Sequence, residues 1–222
     1  MPTSPWSCVL WDVDGTVADA SPGILPRITA VLTALGRTPP APEDLRHWIG
    51  PPLLESFEVR GGLTPDEAVE AVRTYRELAS REGYAAAVDL YPGVPEIIRA
   101  LHAADVPQGT ASTKPENQVF AILTHYGLAD CFATITGARA DATVLDTKAD
   151  VLGRALERLR DAGVDTSRPV LIGDRHHDVD GAAEYGIPVI FVRWGFGNPG
   201  EDAGAHAVVD TADQLRPLLL TD

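Results

Sequence analysis

Cysteine is nearly absent from this chain: its 222 residues include two, Cys8 and Cys131, far apart in sequence. Such usage excludes a disulfide-stapled secreted scaffold and points to a reduced, cytoplasmic setting. Long hydrophobic runs are lacking as well. The stretch IPVIFV at 187–192 falls far short of the ~20 apolar residues that span a bilayer. No cationic start followed by an apolar core marks a secretion signal. Positive charge is scarce, with 18 Lys and Arg against 32 Asp and Glu and a formal net charge of -14. Nucleic acids and anionic membranes require basic surface, so both are disfavoured as partners, and an anionic substrate must be drawn in by local charge. Repeats and low-complexity tracts are also missing, and the short proline-rich stretch 39–42 reads as a loop between helices.

What is present suits a folded protein. Hydrophobic residues make up 45% of a chain long enough for one large domain, or a main domain with a small insert. Short β-rich runs, CVLWDV (8–13), QGTAS (108–112), FATIT (132–136), PVLIG (169–173) and PVIFV (188–192), alternate with segments of helical period. Val94, Ile97, Ile98 and Leu101 share one helix face, as do Val151, Leu152, Ala155, Leu156 and Leu159. This alternation predicts an α/β fold, a parallel sheet with helices packed on its faces.

One segment breaks the pattern. Between Asp19 and Asp89 only helical signals occur: Ser21 followed by Pro22 as an N-cap and first turn, with an apolar stripe of Ile24, Ile28, Val31, Leu32 and Leu35. Further on, Thr64, Pro65 and Glu67 form a capping box before Val69, Val72 and Leu78. The expected organisation is a core of residues 1–18 and 90–222, interrupted by a helical cap at 19–89 that serves as a lid over the sheet's catalytic edge.

In open parallel sheets ligands bind beyond the carboxyl ends of the strands. Four such ends carry suitable chemistry: Asp12, Asp14, Gly15 and Thr16; Ser112, Thr113 and Lys114; Lys148 at the start of a helix; and Gly173, Asp174 and Asp178. Two carboxylates one residue apart repel unless a cation compensates them. Three acidic residues of the group can hold a divalent ion, and oxygen-only ligation suits Mg²⁺ and phosphate substrates. A lysine and a hydroxyl supply an anion site. The set fits phosphoryl transfer through an aspartyl-phosphate, one carboxylate acting as nucleophile and the other trading protons.

These four elements, DVDGT (12–16), AST (111–113), Lys148 in DTKADVL and GDRHHD (173–178), resemble in order the signatures of the haloacid-dehalogenase-like hydrolase superfamily. The resemblance implies a Rossmann-like core with an inserted helical cap. It further implies Asp12 as nucleophile, Asp14 as general acid/base, Ser112 as a donor to phosphoryl oxygens and Lys148 as the neutralising charge. Mg²⁺ would be held by Asp12, the backbone carbonyl of Asp14 and Asp174, with Asp178 supporting its waters. Gly15, Thr16, Ser112, Thr113 and Lys148 are expected to meet the phosphate.

Dehalogenases of that superfamily lack an acid at the second position, so Asp14 favours phosphate chemistry. The insert, together with RHWIGPPLLESF, YPGVPEII and VRWGFG, resembles the phosphoglycolate-phosphatase-like and nucleotidase-like branches. Trp11 and Thr113 depart from the usual residues at their positions without removing a functional group. Lys114 competes with Lys148 for the neutralising role, and Lys148 is preferred. Within RHWIGPP, Arg46, His47, Trp48 and Gly50 are the candidates to reach the leaving group. His176 and His177 are read as loop or substrate-side residues, Arg175 as an aid to attracting an anion, and Trp194 as packing.

The expected function is a Mg²⁺-dependent phosphatase acting on a small phosphorylated metabolite, as a monomer or homodimer. A sugar phosphomutase needs the same two aspartates. A phospho-acceptor signalling module also combines an acidic Mg²⁺ site, a hydroxyl and a lysine on a parallel sheet, but the position of Asp12 and the insert count against it.

Overall fold

A computed structural model describes residues 3–141 and 143–221. Residues 1, 2, 142 and 222 of the expected core lie outside the described residues. The strands in chain order are β1 (Cys8–Trp11), β2 (Ala18–Asp19), β3 (Asp89–Leu90), β4 (Gln108–Thr110), β5 (Ser112–Pro115), β6 (Gly137–Ala138), β7 (Pro169–Gly173), β8 (Val189–Val192) and β9 (Ala207–Val209). The helices are α1 (Ser21–Ala34), α2 (Pro42–Leu45), α3 (Leu53–Glu55), α4 (Pro65–Glu82), α5 (Val94–Ala103), α6 (Glu116–His125), α7 (Lys148–Asp161), α8 (His176–Ala183) and α9 (Ala212–Leu219).

The main sheet is parallel, with spatial order β4-β1-β7-β8-β9. Its inner strands are apolar on both faces because helices cover both. Val9 and Trp11 of β1 belong to one core with α5, α6 and α9, while Cys8 and Leu10 belong to the other with α7 and α8. Parallel alignment brings the carboxyl ends of β1, β4 and β7 to a single edge. Asp12, Ser112 and Asp174 follow those ends by one or two residues.

Helices α1 to α4 all lie between β2 and β3, and the antiparallel pairs Ala18↔Leu90 and Asp19↔Asp89 join the two ends of that segment. Ile24, Ile28, Val31 and Leu32 of α1 are buried in the same core as Ala68, Ala71, Val72 and Tyr75 of α4. The capping box predicted at Thr64 is present, Thr64 accepting from Glu67 N and Glu67 from Thr64 N. Ser21 does not cap α1. It is the first helical residue, and Asp19 Oδ1 accepts its backbone N–H at 2.9 Å. Leu35 lies beyond the helix and is exposed.

FATIT is not a continuous strand. It runs beside β4 through Ala133 N to Gln108 O at 2.8 Å and Thr110 N to Thr134 O at 3.1 Å, with Thr134 as an isolated bridge. Strand pairing resumes one residue later, between β5 and β6, with a register shift between Ser112 and Pro115. Among the described residues no helix is long and apolar enough to cross a membrane.

Candidate active site

The centre is built on three buried carboxylates. Asp12 continues β1, its N–H bonded to Ile172 O at 2.9 Å, and its side chain is brought against Lys148. Lys148 is the first residue of α7, whose amino end is set by a reciprocal cap between Thr147 and Asp150. From there its Nζ donates to Asp12 Oδ1 at 2.7 Å and to Ala111 O at 2.8 Å, and lies 2.7 Å from Asp178 Oδ1 as an ion pair. Burial works against the ammonium, but Asp12 and Asp178 outweigh it and hold Lys148 above its ordinary pKa.

Asp174 is fully buried at the end of β7. Its Oδ2 accepts from Phe196 N at 2.7 Å and its Oδ1 from Thr16 Oγ1 at 3.4 Å. The carboxylate fits because two glycines make room. A Cβ on Gly15 would lie 2.1 Å from Asp174 Oδ2, and one on Gly195 2.3 Å from it. Gly15 also has φ +89°, where side chains are disfavoured. Gly173 plays the same part for Asp178, whose Cγ a Cβ would meet at 2.3 Å. Asp178 Oδ2 accepts from Asp174 N at 3.2 Å and Arg175 N at 3.0 Å, which locks it into the first turn of α8.

Asp12, Asp174 and Asp178 each offer an oxygen within 4.8 Å of the others. One ammonium faces the three carboxylates, leaving excess negative charge in a buried place. Burial, then Asp12 and Asp178, push Asp174 well above the usual carboxylate range. Asp12 is raised too, because burial outweighs the pull of Lys148. A hard divalent cation with oxygen ligands would relieve this excess, so the donor set fits Mg²⁺.

Asp14 faces away from that cluster. Its Oδ2 is 3.0 Å from Lys114 Nζ, while its Oδ1 is buried with no hydrogen-bond partner among the described residues. Burial raises its pKa against the pull of Lys114. Lys114 is lowered by burial, but Asp14 and Tyr75 more than restore it and leave it raised. Both border a cavity of about 50 Å³ walled by Trp48, Ile49, Leu53 and Tyr75, with Thr113 and Gln118 as further polar lining. Ser112 is buried next to it, its Oγ accepting from Lys114 N at 3.3 Å.

The structure gives each expected residue its own surroundings. Lys114 and Lys148 are not competitors: each is buried, and each pairs with a different aspartate. The Asp14 carboxylate stands outside the three-carboxylate cluster. Thr16 is buried with its hydroxyl on Asp174, and the Thr113 hydroxyl donates to Gly50 O at 2.9 Å. Arg46 is exposed and His47 half-buried, and neither lines the cavity. The reason is the single turn at Arg46–Trp48, which sends Trp48 inward onto Phe57, with ring centroids 5.5 Å apart.

Arg175 presents no free charge. It is buried, donates through Nε to Glu201 Oε2 at 2.7 Å, and donates through Nη1 to the Ile49 carbonyl. His176 and His177 form the first turn of α8 rather than a loop, and burial lowers His177 to about 4. Trp194 packs near Tyr91 and donates to Thr16 O at 3.1 Å. Sequence reasoning missed Tyr75 and Gln118, whose helical context gave no sign that they face the cavity.

Comparison with known proteins gives concordant matches. The family described as haloacid dehalogenase-like hydrolase matches residues 9–192. A tyrosine-protein kinase, PtkA, of Mycobacterium tuberculosis is 35% identical over 95% of this chain and 72% of its own length. A 5'-nucleotidase of Pseudomonas aeruginosa is 35% identical over 87% of this chain and 85% of its own. Among solved structures, a predicted phosphatase from Clostridium acetobutylicum superposes with TM-score 0.86 at 30% identity, covering 95% of this chain and 96% of that one.

Proposed function

This chain belongs to the haloacid dehalogenase-like hydrolase family, and from that premise we propose that it hydrolyses a small phosphate monoester through a phosphoaspartate on Asp12. The observation that carries the reading is the division of charge between the two aspartates at the end of β1. Asp12 is paired at 2.7 Å with the buried Lys148 ammonium, which opposes the burial and the neighbouring carboxylates and favours the ionised form a nucleophile needs. Asp14 has a raised pKa and one unpartnered oxygen beside a cavity, which suits a group that gives and takes a proton.

In the first half-reaction an Asp12 carboxylate oxygen attacks phosphorus, the bond from phosphorus to the ester oxygen breaks, and Asp14 gives its proton to the departing oxygen. In the second, Asp14 takes a proton from water as that water attacks the phosphoaspartate. Inorganic phosphate leaves and the Asp12 carboxylate is regenerated. Lys148 offsets charge on Asp12 throughout, and the Ser112 hydroxyl would donate to phosphoryl oxygens. Magnesium, held by Asp12 and Asp174 with Asp178 in support, would offset the charge gathered on phosphate and carboxylates.

The cavity beside Asp14 supports a compact leaving group, and residues 19–89 as a lid would keep bulk water out. A phosphoglycolate-like or nucleotide-like ester is the substrate class we favour. Cys8 and Cys131 are both free, in keeping with a reduced cytoplasmic protein. The 35% identity to a protein named as a tyrosine kinase supports a second reading, in which a protein hydroxyl rather than water receives the phosphoryl group.

A screen of phosphorylated metabolites, run with Mg²⁺ and with EDTA beside Asp12→Asn, separates these. Free phosphate should appear only with metal, and the substitution should cut turnover at least about a thousandfold while leaving the fold intact. Turnover by the variant near the parent rate would reject Asp12 as nucleophile. Phosphate found on a peptide instead of in solution would favour the second reading.

A further inference from the structure

Arg175 lies next to Asp174, yet its side chain turns away from the carboxylates and toward the helical segment. Its guanidinium is buried and has two partners: Glu201 on one edge, at 2.7 Å from Nε and 3.3 Å from Nη2, and the backbone carbonyl of Ile49 on the other. Glu201 is itself fixed by Asn198 Nδ2 at 2.6 Å and His176 N at 3.1 Å, so the guanidinium has a rigid mount on the core. The next carbonyl, that of Gly50, accepts from Thr113 Oγ1 at 2.9 Å. Two consecutive carbonyls of the 46–52 stretch are thus held by side chains from two places in the core, Arg175 after β7 and Thr113 within β5. The fit is close: a Cβ on Gly50, at φ +106°, would lie 2.9 Å from Arg175 Nη1 and 3.0 Å from Arg175 Cγ.

The residues so held matter to the reaction, since Trp48, Ile49 and Pro51 wall the cavity next to Asp14. We propose that Arg175 is a positioning residue that fastens the Ile49–Gly50 peptide to the core, so that the loop closes on the leaving group in one register. The proposal rests on the phosphatase reading for its catalytic consequence, while the fastening itself can be measured without turnover. Arginine is suited to the task because its planar fork serves a carboxylate and a carbonyl at once; lysine, with a single point of charge, does not reach both.

The experiment uses Arg175→Met and, as an independent variant that leaves the 46–52 loop untouched, Glu201→Gln, which weakens the carboxylate mount of the guanidinium. Amide hydrogen exchange of residues 46–53 is measured in both, together with kcat and KM for p-nitrophenyl phosphate and for acetyl phosphate, whose leaving group is much smaller. Exchange across 46–53 should accelerate at least about tenfold, on the order of the loss of a charged hydrogen bond. The kcat/KM for p-nitrophenyl phosphate should fall about tenfold, mainly through KM, with less than about a twofold change for acetyl phosphate. Arg175→Lys should resemble Arg175→Met. Unchanged exchange across 46–53 in Arg175→Met overturns the proposal, and so does an equal loss on both substrates, which would place the damage at the carboxylates. Absence of phosphate release by the parent protein from either substrate would reject the phosphatase reading and leave the exchange result standing.

Discussion

At the scale of single residues, the site is buried like charge met by one ammonium on each side, with excess negative charge left at the three carboxylates. Lys148 serves Asp12 and Asp178, and Lys114 serves Asp14. Their types and positions were readable in the chain, but whether a lysine points inward depends on helix placement, which no local pattern reveals. Lys148→Met tests the balance. Removing it leaves Asp12, Asp174 and Asp178 buried without their ammonium, a change that costs about 3–5 kcal/mol when one partner of a buried pair is deleted. The variant should lose turnover and melt well below the parent. Added Mg²⁺ should raise its melting temperature more than it raises the parent's, since the cation would then be the sole compensation. No stabilisation of either protein by Mg²⁺ would contradict a metal site at these three carboxylates.

At the scale of elements, caps decide where catalytic side chains stand. Thr147 and Asp150 satisfy the first turn of α7, with Asp150 N to Thr147 Oγ1 at 3.1 Å and Thr147 N to Asp150 Oδ2 at 2.9 Å, and Lys148 is the residue they orient. Thr64 and Glu67 do the same for α4, remote from the carboxylates. Thr147→Ala and Thr64→Ala should each cost about 1 kcal/mol in denaturant unfolding. Only Thr147→Ala should also depress kcat, because it alone frees a lysine that touches Asp12. Matching kcat values for the two variants would show that the helix start does not place Lys148.

The same scale shows which elements the sequence announced. PVLIG and PVIFV are inner strands, apolar on both faces, and they folded as read. FATIT, at the sheet's margin, has β-like composition, but composition carries no information about which residues meet a partner, so the pairing shifted to Gly137–Ala138. β9 is a partly exposed edge strand of three residues, too short for a period to declare itself. Arg46, His47, Trp48 and Gly50 are candidates as residues of the cap stretch RHWIGPP, and of these Trp48 and Gly50 line the cavity. A single turn of helix turns the tryptophan inward.

At the scale of the whole molecule, the buried carboxylates and the paired ones pull stability in opposite directions with pH. Asp12, Asp14 and Asp174 have folded pKa values above the ordinary 3.8, chiefly through burial, so the folded protein binds their protons more tightly than the unfolded chain. Without metal, stability therefore rises as pH falls through those values toward 3.8. Asp146 behaves oppositely. Burial alone would raise it, but bonds from Arg139 and Arg154 bring it down to about 2, and Glu201 is lowered likewise by Arg175, Asn198 and His176. Below 3.8 the unfolded chain takes up these protons first, and stability is lost as pH falls toward about 2. For Asp146 the loss is on the order of 2 kcal/mol. Melting temperature in EDTA should then pass through a maximum on the acid side of neutrality, with Mg²⁺ raising the neutral limb and flattening the curve. Asp146→Asn should be less stable near neutral pH and should soften the acid limb alone. A melting temperature in EDTA that climbs steadily from pH 4 to pH 8 would show that burial of these carboxylates carries no such cost.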